Sequence, residues 1–199
     1  MKERIARTLL GLLGWKIEGI HPPHSHYVLI AAPHTSNWDF PLMLLYAASF
    51  SIKITWMAKH SLFIPPFGWF MRAMGGMPIE RHRSRNLVAS MIEDLKSQAD
   101  LVLVVPAEGT RSRKDYWKSG FYHIARGAGV PIVPSYLDYG NKRGGFGPAL
   151  LPTENVSADM DVLRQFYAPM NGKFPERFTP VRLREEDEGT IKDTQSAQA

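Results

Sequence analysis

A histidine and a carboxylate stand five residues apart in Pro33-His34-Thr35-Ser36-Asn37-Trp38-Asp39-Phe40, and this pairing is the stretch of the chain best equipped for proton chemistry. If Asp39 holds one imidazole nitrogen, the other is free to take a proton, so His34 has the make-up of a general base and Asp39 of its orienter. The stretch follows residues 27–32, an apolar run rich in β-formers, and precedes residues 41–50, whose apolar density and length suit a buried helix. The pair is therefore expected at a strand-to-helix turn, where an open α/β sheet carries its chemistry, with Thr35, Ser36, Asn37 and Asp39 as cap-type side chains.

Two further polar stretches sit where strands should end. Residues 101–105 are an unbroken apolar run suited to the buried middle of a parallel sheet, and they deliver Pro106-Ala107-Glu108-Gly109-Thr110-Arg111-Ser112. In that turn Gly109 permits close backbone approach and Arg111 can grip an oxyanion bidentately; alternatively, Glu108 and Arg111 simply pair with each other. Met77 to Glu80 reads as a short strand, and Arg81, His82, Arg83 and Arg85 follow it at once. That cluster is either a solvated face or a hold for a phosphate. His21, His24 and His26 flank two prolines with no carboxylate or cysteine nearby, so they read as a loop, and no metal site is expected.

The elements that must position these residues alternate. Residues 2–15 read as an amphipathic helix, with Ile5, Leu9, Leu12 and Leu13 on one face and Lys2, Arg4 and Arg7 at the polar end. It is too short to span a bilayer, which takes about 20 apolar residues. It either lies in a membrane interface with Trp15 at headgroup depth or packs its apolar face on the core. Strands are expected at residues 16–20 and 52–58. Between residues 60 and 74 the aromatic segment around Pro65-Pro66 is apolar on more than one side, so it is either core or a greasy wall for a ligand or membrane; the double proline, which keeps one regular helix from burying it all, favours the wall. Helices are expected at 87–98, 121–128 and from an N-cap at Ser157 to about 167. Residues 130–137 read as a strand whose prolines argue for an edge or a bulge, and residues 140–147 as a basic, glycine-rich loop.

At 199 residues the chain suits one sizeable α/β core rather than two domains. The expected fold is α/β: a single domain, residues 16–183, with a mostly parallel central sheet flanked by helices, plus the N-terminal amphipathic helix of residues 1–15 and a charged, disordered tail over 184–199. Zero cysteines exclude disulfides and thiolate chemistry. No cleavable secretory leader is found, so a cytosolic side is expected. The net charge of +5 points to anionic partners, and the five Trp and ten Phe fit a lipid-facing or acyl-binding surface better than nucleic acid, for which no duplex-binding motif is present.

Four pieces in order resemble the glycerolipid acyltransferase family, which includes bacterial 1-acylglycerol-3-phosphate acyltransferases. His34 to Asp39 resembles its His-x4-Asp motif, Gly75-Gly76-Met77-Pro78-Ile79-Glu80-Arg81 its second block, Glu108-Gly109-Thr110-Arg111-Ser112 its third, and the strand from Val130 to Pro134 its fourth. Two positions depart from the pattern: the third block begins Pro106-Ala107 where Phe-Pro is usual, and the second carries Pro78 where an aromatic is common. The resemblance implies acyl transfer from acyl-CoA or acyl-carrier protein, as co-substrate rather than cofactor, to the free hydroxyl of a lysophospholipid, with 1-acylglycerol-3-phosphate as the leading acceptor. It implies catalysis by His34 and Asp39, an acceptor site shaped by Arg81, Glu108, Gly109, Thr110 and Arg111, and a peripheral place on the cytoplasmic face of the membrane. A lyso-aminolipid acceptor, or a silent headgroup-binding module, are the alternatives.

Overall fold

The computed structural model describes residues 1–79 and 84–187, and the side chains of all of these except 84–86. Among the described residues one sheet contains β1 (Lys16–Glu18), β2 (Tyr27–Ala31), β3 (Ile54–Lys59), β4 (Gly76–Ile79), β5 (Val102–Val105), β6 (Ile132–Asp138) and β7 (Arg143–Phe146). Their order is β1-β7-β6-β2-β5-β3-β4, and every pairing is parallel except β6 with β7. The helices are α1 (Lys2–Leu12), α2 (Asp39–Ser49), α3 (Phe67–Ala73), α4 (Ser84–Ser97), α5 (Gly120–Ala128) and α6 (Val156–Tyr167). This is the α/β architecture with a mostly parallel sheet that the alternating pattern implied.

β2 lies in the middle of the sheet and is buried on both faces, as its unbroken apolar run requires. Val28 and Ile30 point to one face, where Met91 and Leu95 of α4, Phe121 and Ile124 of α5 and Leu163 of α6 cover them. Tyr27 and Leu29 point to the other, against Ala47 of α2, Met71 of α3 and the ring of Trp56. α1 forms a further layer outside α2, where Leu10 and Trp15 meet Leu42 and Tyr46.

Several expectations change in the structure. The prolines of residues 130–137 predict an edge or a bulge; β6 is not an edge but interior, between β2 and β7. Pro134 stands opposite Ile30 in the register with β2, whereas pairing with β7 begins only at Ser135. Its own carbonyl accepts from Gly147 N–H at 2.8 Å on the β7 side, so the missing N–H faces a place where the ladder has not started. The glycine-rich loop of residues 140–147 contains strand β7. Gly145 is there for closeness rather than flexibility: a Cβ on it would stand 2.0 Å from the Glu18 carbonyl oxygen.

Asn155, not Ser157, caps α6 by accepting from Ala158 N–H at 3.0 Å. Trp15, which one of the two readings of the N-terminal helix set at headgroup depth, is buried, with its ring edge against Tyr139 at 4.9 Å. The region expected to be disordered from residue 184 opens with a helical turn over 184–187, where Glu186 accepts from Arg164 at 2.8 Å. Residues 188–199 lie outside the described residues.

Candidate active site

Parallel pairing of β2, β5 and β3 brings their carboxyl ends to one side of the sheet, and the chemistry-bearing turns follow these ends. β2 delivers His34, β5 delivers Gly109 to Arg111, and β3 ends on Lys59. Asp39 is the first residue of α2 and is buried. A negative charge belongs at that position, since the helix dipole and the free N–H groups of the turn both favour it.

The carboxylate of Asp39 organises the turn. Its Oδ2 accepts from the backbone N–H of Thr35 and of Ser36, each at 2.9 Å, and lies 3.1 Å from His34 Nδ1. A carboxylate can only accept, so Nδ1 carries the proton and Nε2 keeps its lone pair. The other polar side chains brace the turn rather than cap the helix: Ser36 Oγ accepts from Trp38 N–H at 3.2 Å, and Thr35 Oγ1 accepts from Phe174 N–H at 3.2 Å. Thr35 and Ser36 are buried, whereas Asn37 and Trp38 are exposed.

Glu108 departs from its expected place. It is fully buried, its Oε1 accepts from His34 N–H at 2.5 Å, and its Oε2 accepts from Thr179 N–H at 2.9 Å. It sits behind the histidine instead of on the cavity wall, and it pairs with these two backbone groups rather than with Arg111. Burial pushes its carboxyl above the usual range, against the lowering pull of the His34 and Thr179 N–H groups.

His34 and Asp39 open onto a cavity of about 610 Å³ that runs between α2 and the sheet. Gly109, Thr110, Arg111 and Lys59 share its lining, and Leu29, Met43, Ala47, Ile54, Trp56 and Phe146 make the inner part apolar. Gly109 holds a φ of +66°, so the turn that presents Thr110 and Arg111 suits glycine and strains any other residue. Of the expected acceptor residues, the structure thus brings Gly109, Thr110 and Arg111 together with His34. Arg81 lies outside the described residues.

Sequence reasoning missed Lys59 and Tyr139. Lys59 ends an ordinary strand, and no local pattern marks it. Tyr139 donates its O–H to Asp39 Oδ1 at 2.7 Å across 100 positions of sequence, a pairing that only the folded sheet creates. Burial, then the bond to Asp39, raises its phenol well above the ordinary tyrosine range, so it stays protonated as the donor.

A histidine polarised by a buried carboxylate at the carboxyl end of a parallel sheet, beside an apolar cavity, defines a base-equipped α/β protein with room for a long apolar group. Comparison with known proteins makes this specific. The chain belongs to the Acyltransferase family, whose model matches residues 15–138. It is 34% identical over 139 residues to the 1-acyl-sn-glycerol-3-phosphate acyltransferase of Streptococcus pneumoniae, covering 64% of this chain and 51% of that protein. To the enzyme of the same name from Escherichia coli K12 it is 30% identical over 138 residues, covering 63% and 54%. The chain therefore spans about half the length of these relatives. Among solved structures, the 1-acyl-sn-glycerophosphate (LPA) acyltransferase PlsC of Thermotoga maritima shares its fold, with a TM-score of 0.54 at 19% identity over 99% of this chain and 78% of that one.

Proposed function

We propose that this chain is an O-acyltransferase that moves a fatty acyl group from a thioester, acyl-CoA or acyl-carrier protein, to the free hydroxyl of 1-acylglycerol-3-phosphate, giving phosphatidic acid. The observation that carries the reading is the His34–Asp39 pair on an apolar cavity of about 610 Å³. The names of the relatives supply the acceptor.

In this mechanism His34 Nε2 removes the proton of the acceptor hydroxyl as its oxygen attacks the thioester carbonyl carbon. A tetrahedral oxyanion forms and collapses, the C–S bond breaks, and the departing thiolate takes the proton back from the imidazolium. Asp39 holds the imidazole in the working tautomer and stabilises its positive form. Arg111 and Lys59, cationic and exposed at the same cavity, bind the acceptor phosphate, and the resemblance of the second block to the family assigns Arg81 the same role. No enzyme nucleophile is required.

The protein works at a membrane surface, on the cytoplasmic face. No described helix is long and apolar enough to cross a membrane. α1 leaves Ile5, Leu9, Leu12 and Leu13 exposed while burying Ala6 and Leu10 on α2, and Ile64, Phe67, Trp69 and Phe70 form a second exposed apolar group around α3. Such surfaces suit shallow insertion beside a cavity that must receive lipid.

Mass spectrometry of the lipid products tests the reading. Purified protein with a long-chain acyl thioester and liposomes carrying lysophosphatidic acid is expected to form phosphatidic acid. Acylation of a lyso-aminolipid in preference to lysophosphatidic acid overturns the acceptor assignment.

A further inference from the structure

We propose that Tyr139 is a positioning residue of the acyl-transfer site, fixing the Asp39 carboxylate that orients His34 while itself held by Trp15 of the N-terminal segment. The inference rests on the reading of His34 as the base.

The argument begins with how the donors divide between the two oxygens of Asp39. Oδ2 receives His34 Nδ1–H and the backbone N–H groups of Thr35 and Ser36, and Oδ1 receives the phenol of Tyr139. Three donors on one oxygen compete for two lone pairs, and the terminal torsion of an aspartate is broad and soft. A second fixed donor on Oδ1 sets the plane of the carboxylate, and with it the direction in which Oδ2 pulls the imidazole. The bond is short and charge-assisted, and the carboxylate is buried, so little competes with it.

Tyr139 in turn is fixed from two sides. Its backbone N–H donates to Asn171 O at 2.8 Å, and its ring meets the Trp15 ring edge-on, with centroids 4.9 Å apart and planes at 86°. Trp15 is tied to α1 through its own N–H, which donates to Leu10 O at 2.8 Å, and Leu10 is fully buried on α2. A continuous line of contacts thus runs from α1 through Trp15, Tyr139 and Asp39 to His34. The same helix that offers an apolar stripe to a membrane is packed, on its other side, into the support of the base.

The test compares wild type with Tyr139→Phe, Trp15→Leu and His34→Ala, using a long-chain acyl thioester and lysophosphatidic acid in liposomes, each variant assayed well below its measured unfolding temperature. Tyr139→Phe keeps the ring and removes the donor. Its kcat is expected to fall about tenfold, the scale of a small misplacement of a catalytic group, with KM for donor and acceptor changed less than about twofold. The downfield proton resonance of His34 Nδ1–H is expected to shift or broaden with it. Trp15→Leu, which keeps the phenol and loosens its support, is expected to show the same signature to a smaller extent. A silent His34→Ala beside a Tyr139→Phe with wild-type kcat and an unchanged His34 resonance overturns this inference alone. Turnover retained in His34→Ala overturns the base assignment on which it stands.

Discussion

At the scale of single residues, the identity of the partner decides what His34 can do. Because Asp39 Oδ2 lies at Nδ1, Nε2 is left as the acceptor, and removing the imidazole by His34→Ala is expected to lower kcat by about 10²- to 10⁴-fold with the fold intact. Asp39→Asn keeps the size and can still accept from Thr35 and Ser36, but a neutral amide stabilises an imidazolium far less. It is expected to approach the His34→Ala loss in kcat while circular dichroism stays at wild type. Arg111→Lys keeps the charge and loses the planar fork, so KM for lysophosphatidic acid is expected to rise about tenfold with a smaller change in kcat; an unchanged acceptor dependence would remove Arg111 from the phosphate site. His34 and Asp39 were legible in the sequence because both lie in one local turn whose flanks announce a strand and a helix. Tyr139 was not, because its meaning comes from a partner 100 positions away. Glu108 was read as an acceptor residue and lies behind His34 instead, since sequence marks a carboxylate without saying that two backbone N–H groups will enclose it.

At the scale of elements, the carboxyl end of β6 is joined to β7 by charge. Asp138, fully buried, accepts from Arg143 Nε at 2.9 Å and Asn141 Nδ2 at 2.8 Å. Burial pushes its carboxyl up, but the donors Asn141, Arg143 and Asn171 N–H outweigh it and hold the group below the ordinary aspartate range. A carboxyl lowered by folding contributes stability that is present above its unfolded value and lost as pH falls. Thermal unfolding of wild type is therefore expected to lose a component below about pH 4 that is absent in Asp138→Asn. An equal acid slope in both proteins would show that this pair does not tie the strands. Glu108→Gln faces one backbone N–H with an amide donor in place of an oxygen, and is expected to cost about 1–3 kcal/mol of stability, read by urea unfolding. Most elements were legible from their periods and lengths. β6 was read as an edge or a bulge and is interior, because a proline names the side on which a donor is missing, not whether a neighbour needs it there. β7 was read as a loop because glycine in sequence suggests freedom, whereas Gly145 is needed where the Glu18 carbonyl comes too close for a side chain.

At the scale of the whole molecule, one helix carries two apolar stripes with different surroundings. The alternative posed by the sequence, core or membrane, meets two stripes: Ala6 and Leu10 are buried, and Ile5, Leu9, Leu12 and the C-capping Leu13 are exposed. Replacing Ile5, Leu9 and Leu12 together by serine spares the packed stripe. It is expected to weaken co-sedimentation with anionic liposomes by more than about tenfold while leaving the unfolding temperature near wild type, since each lost side chain removes apolar area that only a lipid phase would bury. Unaltered binding would assign the membrane contact to the aromatic group around α3 instead. Periodicity picked out Ile5, Leu9, Leu12 and Leu13, which are exposed, and passed over Ala6 and Leu10, because the buried stripe is set by where α2 lies.

The account turns on His34 as the base for acyl transfer to a lysophospholipid hydroxyl. Phosphatidic acid formation by wild type and His34→Ala, measured side by side by mass spectrometry with lysophosphatidic acid and a long-chain acyl thioester, tests it most directly. Product from wild type and at least about a hundredfold less from a folded His34→Ala is the predicted result; equal product from both would contradict it.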